Sequence, residues 1–158
     1  VLCDYGAFRD LQRHRLLTLE WQRLSPEHGF DTPDVIADAG MIEEWNRVME
    51  DSAATWATLS EHAGEDVAQY SVAMAYRIRF VMQMSAREAM HLIELRSSPQ
   101  GHPTYRRVAQ QMYDLIEKNA GHRAIARTMT YLDTSDVDLE RLEAERRAEA
   151  KRRAARAG

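Results

Sequence analysis

Between Met41 and Gly64 the chain sets Ile42, Trp45, Met49, Ser52, Trp56 and Leu59 three or four positions apart. That spacing lines them along one face of an α-helix, and a strand, with its period of two, cannot reproduce it. Large apolar side chains at helical period bury against a neighbouring element, so the tryptophans and Met49 read as core rather than as a cofactor box. A chain of 158 residues built around such a helix is expected to form one compact domain with a real core.

The other segments are less regular. Phe8, Leu11, Leu16 and Leu19 give a broken helical stripe that stops before Pro26 and Gly29, and "SPEHGFDTPD" reads as a loop. Thr32-Pro33-Asp34 offers a cap followed by proline, starting a short turn that Gly40 closes. After Gly64, "EDVAQYSVAMAY" leaves helix and strand open. "RIRFVMQM", residues 77 to 84, alternates and predicts a strand. Ser85 then predicts an N-cap, with Glu88 completing a capping box, for a helix running to about Ser97. Pro99, Gly101 and Pro103 make a connection; Tyr105, Val108, Met112, Leu115 and Ile116 mark another helix, and Ile125, Met129 and Leu132 a last one. The expected fold class is α+β, mostly helical, with one or two strands that pair with each other or with strands outside the chain. Residues 1–139 are expected to form the domain and 140–158 a charged helical or frayed tail.

Net charge is −4, but residues 140–156 carry seven Arg/Lys against four Glu. Alternating signs dilute any phosphate-attracting field, so nucleic-acid binding through the tail is not expected. A single cysteine, Cys3, excludes an intramolecular disulfide and a zinc site built on several thiolates. The chain shows no apolar run of about 18 residues and no leader pattern, so no membrane partner and a cytoplasmic location are expected. It opens on Val1 and runs almost at once into a helical pattern, so an upstream part is expected to exist.

The helix "SAREAMHLIELR" carries the densest chemistry. At 100 degrees per residue Arg87, His91 and Glu94 share one face, and Ala86, Ala89, Met90 and Ile93 cover the other. On periodicity alone the first three form a solvent-facing ion-pair ladder. Glu88 and His91 also make a Glu-x-x-His unit, but a di-metal bundle needs two such units and only one is present, so no metal is expected. No nucleophile elbow and no glycine-rich phosphate loop occurs, so any chemistry has to be a cofactor's.

Arg13-His14-Arg15 is followed by Thr18 and, some seventy residues on, by strand, Ser85-Ala86-Arg87 and "HLIELR". This order resembles the flavin-dependent thymidylate synthase family, whose motif reads R-H-R-x-x-S-x-N-E-x-S-x-R-Y, followed downstream by N-A-R-x-x-x-H/N-F-x-x-L-R. The resemblance spans roughly residues 5 to 132. It implies a homotetramer that binds FAD between subunits and methylates dUMP to dTMP with methylenetetrahydrofolate and NADPH. It further implies that Arg13, His14, Arg15, Arg87, His91 and Leu95 contact the cofactor, and that Arg13 and Arg96 contact the substrate, Arg96 polarising the uracil ring. The chain departs from the motif where Arg23 replaces the substrate-phosphate serine, Ser25 the following arginine and Trp21 the glutamate, while Gln69 and Ser85 replace a phosphate-binding arginine and an asparagine. Arg23 is then the expected phosphate ligand, as a displaced cation, and nucleotide-phosphate recognition is altered. Two other readings stand beside this one: a non-catalytic relative serving as a structural or oligomerisation domain, and a metal-binding helical protein.

Overall fold

The computed structural model describes residues 1–135, 146–147, 149–150 and 152–153. Its described elements make an α+β, mostly helical fold. The chain divides into two compact units, one of Val1–Arg13 with Thr18–Gln83, the other of His14–Leu17 with Met84–Gly158.

In the first unit a three-stranded sheet has β3 (Arg77–Met84) at its centre, flanked by β1 (Leu2–Asp4) and β2 (Leu17–Trp21). The alternation of β3 does what its period predicts: Ile78 and Phe80 are buried while Arg79 and Val81 face out. β1 runs antiparallel to β3 with Cys3 opposite Ile78. Burial pushes the Cys3 thiol up to about 12, so it packs as a small apolar group. Asp4 caps α1 (Tyr5–Leu11) by accepting from the Ala7 N–H at 2.7 Å, and the Phe8 ring lies 4.7 Å from that of Phe80. The helix ends at Leu11; Leu16 is exposed and Leu17–Trp21 is extended. The stripe from Phe8 to Leu19 therefore joins two elements whose spacing matched by coincidence, and it hides one of three strands where one or two were expected.

The long helix α3 (Ile42–Ala63), after the short α2 (Asp34–Asp38), fulfils its pattern and stops at Gly64, whose φ of 85° lies in the left-handed region. Met49 packs in a buried cluster with Val72 and Tyr76, and Trp45, Trp56, Leu24 and Phe30 close around it. Ser52, the one polar member of the stripe, donates to the Ser71 carbonyl at 2.6 Å and accepts from the Ala73 N–H at 3.1 Å. The ambiguous segment after Gly64 becomes α4 (Glu65–Ala68), a tight turn at Gln69–Ser71 and a loop, and Ser52 holds Ser71 and Ala73 to α3. The Tyr76 hydroxyl donates to the Met49 carbonyl at 2.6 Å.

In the second unit α5 (Ala86–Ser97) and α6 (Pro103–Asp114) lie where expected, and His102 caps α6 ahead of Pro103. The helix expected around Ile125, Met129 and Leu132 is α7 (Arg123–Ala126), shorter than its stripe implied. Met129 is buried in a turn, and beyond it the backbone at Tyr131 and Asp133 bonds to side chains of α5, and at Asp133 and Ser135 to Gln110 of α6. The expected tail falls largely outside the described residues; within it Arg153 pairs with Glu149 at 2.6 Å and i,i+4 spacing. Among the described residues no helix is long and apolar enough to cross a membrane.

Met49→Ala should lower stability by about 2–4 kcal/mol through the cavity it leaves, and Tyr76→Phe by about 1 kcal/mol for one buried hydrogen bond. Urea unfolding with an unchanged slope measures both; Met49→Ala within 0.5 kcal/mol of wild type, roughly the scatter of a surface substitution, would remove that cluster from the core.

Candidate functional site

The second unit assembles a chain of polar contacts centred on His14, which is 7 % exposed. Its Nδ1 lies 2.8 Å from Glu88 Oε1, and its Nε2 accepts from the Arg96 Nε–H at 3.1 Å. An arginine donor at Nε2 requires a lone pair there, so the imidazole is neutral with its proton on Nδ1, donated to Glu88. Burial holds the His14 pKa below its ordinary value of 6.5; the Glu88 hydrogen bond opposes that, and the potentials of Arg96 and His91 reinforce it. The ring of His91 meets that of His14 edge-on at 5.5 Å.

Arg96 is fixed from a second side. Its guanidinium carbon lies 5.4 Å from the centroid of the Tyr105 ring, close enough for a cation–π contact. Tyr105 reaches this place because Gly101, a buried residue, has no side chain: a Cβ there would sit 2.5 Å from Tyr105 Cε2 and 3.0 Å from the Ser98 carbonyl oxygen. Arg96 thus carries a planar fork of donors oriented by a neutral ring on one side and an aromatic face on the other.

Helix α5 explains why these groups meet. Ser85 accepts from the Glu88 N–H at 3.4 Å, but the Glu88 carboxylate turns to His14, so its side chain serves the site rather than the cap. The buried face comprises Glu88, Ala89, Leu92, Ile93 and Ser97, with Ala86 exposed and Met90 half-buried, a rotation from the expected apolar face. The ion-pair ladder does not form either. Glu94 accepts from the Tyr131 N–H at 2.9 Å, while Arg87 is exposed and enters no ion pair among the described residues.

The structure therefore brings together His14, His91 and Arg96 of the residues singled out from sequence, with Arg87 and Leu95 exposed on the same helix and Arg15 exposed beside His14 in the chain. Arg13 and Arg23 belong to the first unit. Arg13 is exposed and lies 3.4 Å from Asp10, whereas Arg23 is held at 2.9 Å by both Glu65 and Asp66. Sequence reasoning missed Glu88 and Tyr105 as members of this cluster. The one available signal was Glu88 itself, a carboxylate one turn from His91 on a helix whose apolar face it interrupts.

Lowering pH protonates unfolded His14 near 6.5 while the folded ring resists, so stability should fall as pH drops below about 6.5. Melting temperatures at pH 7 and pH 5 measure this, and His14→Gln should flatten the dependence. An unchanged slope in that variant would place the acid sensitivity elsewhere.

The family model for thymidylate synthase complementing protein matches residues 1–120. A UPF0159 protein of Thermoplasma acidophilum is 40 % identical over 152 residues, which is 96 % of this chain and 30 % of the relative. UPF0159 proteins of Chlamydia pneumoniae and Chlamydia muridarum are 39 % and 37 % identical over 94 % and 95 % of the chain, each over 28 % of their own length. The chain thus spans less than a third of the curated relatives it matches.

Proposed function

Because the chain belongs to the thymidylate synthase complementing protein family, we propose that it forms the flavin- and nucleotide-binding part of an enzyme that methylates dUMP to dTMP, using FAD, NADPH and methylenetetrahydrofolate. The observation that carries this reading is Arg96, whose guanidinium is oriented by His14 and Tyr105. A fork so fixed polarises an imide carbonyl without reorganising when charge develops on it. Neutral His14 supports it without repelling it, and Glu88 keeps the tautomer that lets it do so.

The residues present fit FAD. In the second unit, residues 14–17 and 84–135 hold eight Arg/Lys against five Asp/Glu. Arg15 and Arg87 are exposed and enter no ion pair among the described residues, as a diphosphate requires of its ligands. Within the second unit Arg15, Arg87, His91 and Leu95 would hold the cofactor, and His14, both of whose ring nitrogens are taken, would support Arg96. When bound, the flavin supplies hydride transfer while the folate supplies the carbon unit. Arg23 would take the nucleotide phosphate only by displacing two carboxylates, consistent with altered phosphate recognition. In the longer protein, further segments and further copies, making four copies in all by the family resemblance, would complete the site.

The absorption spectrum of the purified full-length protein tests this reading: it should be yellow and release FAD on denaturation. Colourless protein that FAD does not stabilise against heat would instead favour a non-catalytic relative. Arg87→Ala should weaken FAD binding by roughly ten- to a hundredfold, the loss of one charged hydrogen bond. Arg96→Lys should lose turnover with the fold intact, because a point charge cannot replace the fork.

A further inference from the structure

The last turn of a helix is its least constrained part, since its final carbonyls have no partner within the helix. Arg96 sits on that turn of α5, one residue before its end. The next residue, Ser97, is fully buried and bound at both polar ends. Its carbonyl accepts from the Arg106 Nε–H at 3.0 Å, while its hydroxyl accepts from the Asp133 N–H at 3.0 Å and donates to the Glu94 carbonyl at 3.3 Å. Arg106 is 1 % exposed, the one guanidinium buried among the described residues. Its Nη2 reaches Asp133 at 3.4 Å and the Ser135 hydroxyl at 3.1 Å. Gln110 adds contacts at 3.1 Å to the carbonyls of Asp133 and Ser135, so residues 133–135 are strapped to α6 and through Ser97 to the end of α5. Sealing a guanidinium from water is unfavourable unless it is well paired, and a hydrophobic side chain could fill the same space. A cation at a helix C-terminus, bonded to the carbonyl next to Arg96, has a specific use there.

We propose that Arg106 is a positioning residue: by clamping Ser97 it fixes the last turn of α5 and so holds Arg96 against His14. The clamp stands on geometry alone, and its effect on substrate rests on the function proposed above. Arg106→Lys keeps the charge but cannot bond Ser97, Asp133 and Ser135 together; Arg106→Met, which fills the space without any of the bonds, carries the same readouts should Arg106→Lys fail to fold.

The first readout is His14 titration by NMR in the full-length protein. When Arg96 leaves His14 Nε2, the imidazole loses a nearby positive potential, and its midpoint should rise toward that of an ordinary histidine, with Glu88 and His91 still in place. A lower melting temperature with an unchanged midpoint would reduce Arg106 to a structural role and overturn the proposal. The second readout is dUMP titration of FAD-loaded protein, where affinity should fall at least tenfold while FAD retention stays within twofold. Equal dUMP affinity in the folded variant would also overturn it. If the wild-type protein bound neither FAD nor dUMP, the proposed function would fall, and the His14 midpoint would still decide the clamp.

Discussion

An imidazole sealed from water can accept a hydrogen bond only while it stays neutral, and the 2.8 Å contact from His14 to Glu88 puts its proton on the side of the ring away from Arg96. Everything else in the second unit's polar cluster follows from that assignment. With the tautomer set, Nε2 becomes an acceptor, Arg96 acquires a fixed orientation, and buried His14 and Glu88 satisfy one another's hydrogen-bonding groups. Loss of either partner would strand a polar group without water, which is the asymmetry that makes such pairs hard to replace one member at a time.

Charge is divided along the chain in a way that suits this arrangement. The first unit holds fourteen Asp/Glu against six Arg/Lys, and α3 alone exposes Glu43, Glu44, Glu50, Asp51 and Glu61. Glu43 and Glu44 in its first turn oppose the helix dipole with the favourable sign. Under the proposed function such a surface would repel a phosphate-bearing ligand, and the cationic residues of the second unit would attract it.

Much of the fold was legible because burial imposes a period. Ile42 to Leu59 and Arg77 to Met84 each obey one period throughout, and both elements were placed within a residue or two. Leu16 and Leu19 misled because two short elements happened to share a spacing, and Ile125 to Leu132 because buried Met129 sits in a turn held by other helices' side chains. Part of the site was legible for another reason: Arg13-His14-Arg15 and the helix around His91 keep an order that a family motif also keeps. Glu88 was legible only as an interruption of an apolar face, since a buried carboxylate looks like a solvated one in sequence, and Tyr105 was not legible, because its contact with Arg96 depends on a turn at Gly101 that no periodicity reports.

That turn also constrains how the protein can change over generations. Most positions in a connecting loop drift freely, yet at Gly101 even a single methyl would push on the Tyr105 ring and on the Ser98 carbonyl at once. Lineages that keep the aromatic contact must therefore keep the glycine, and a lineage that lost the glycine would be released to lose the tyrosine as well, so the two positions should vary together.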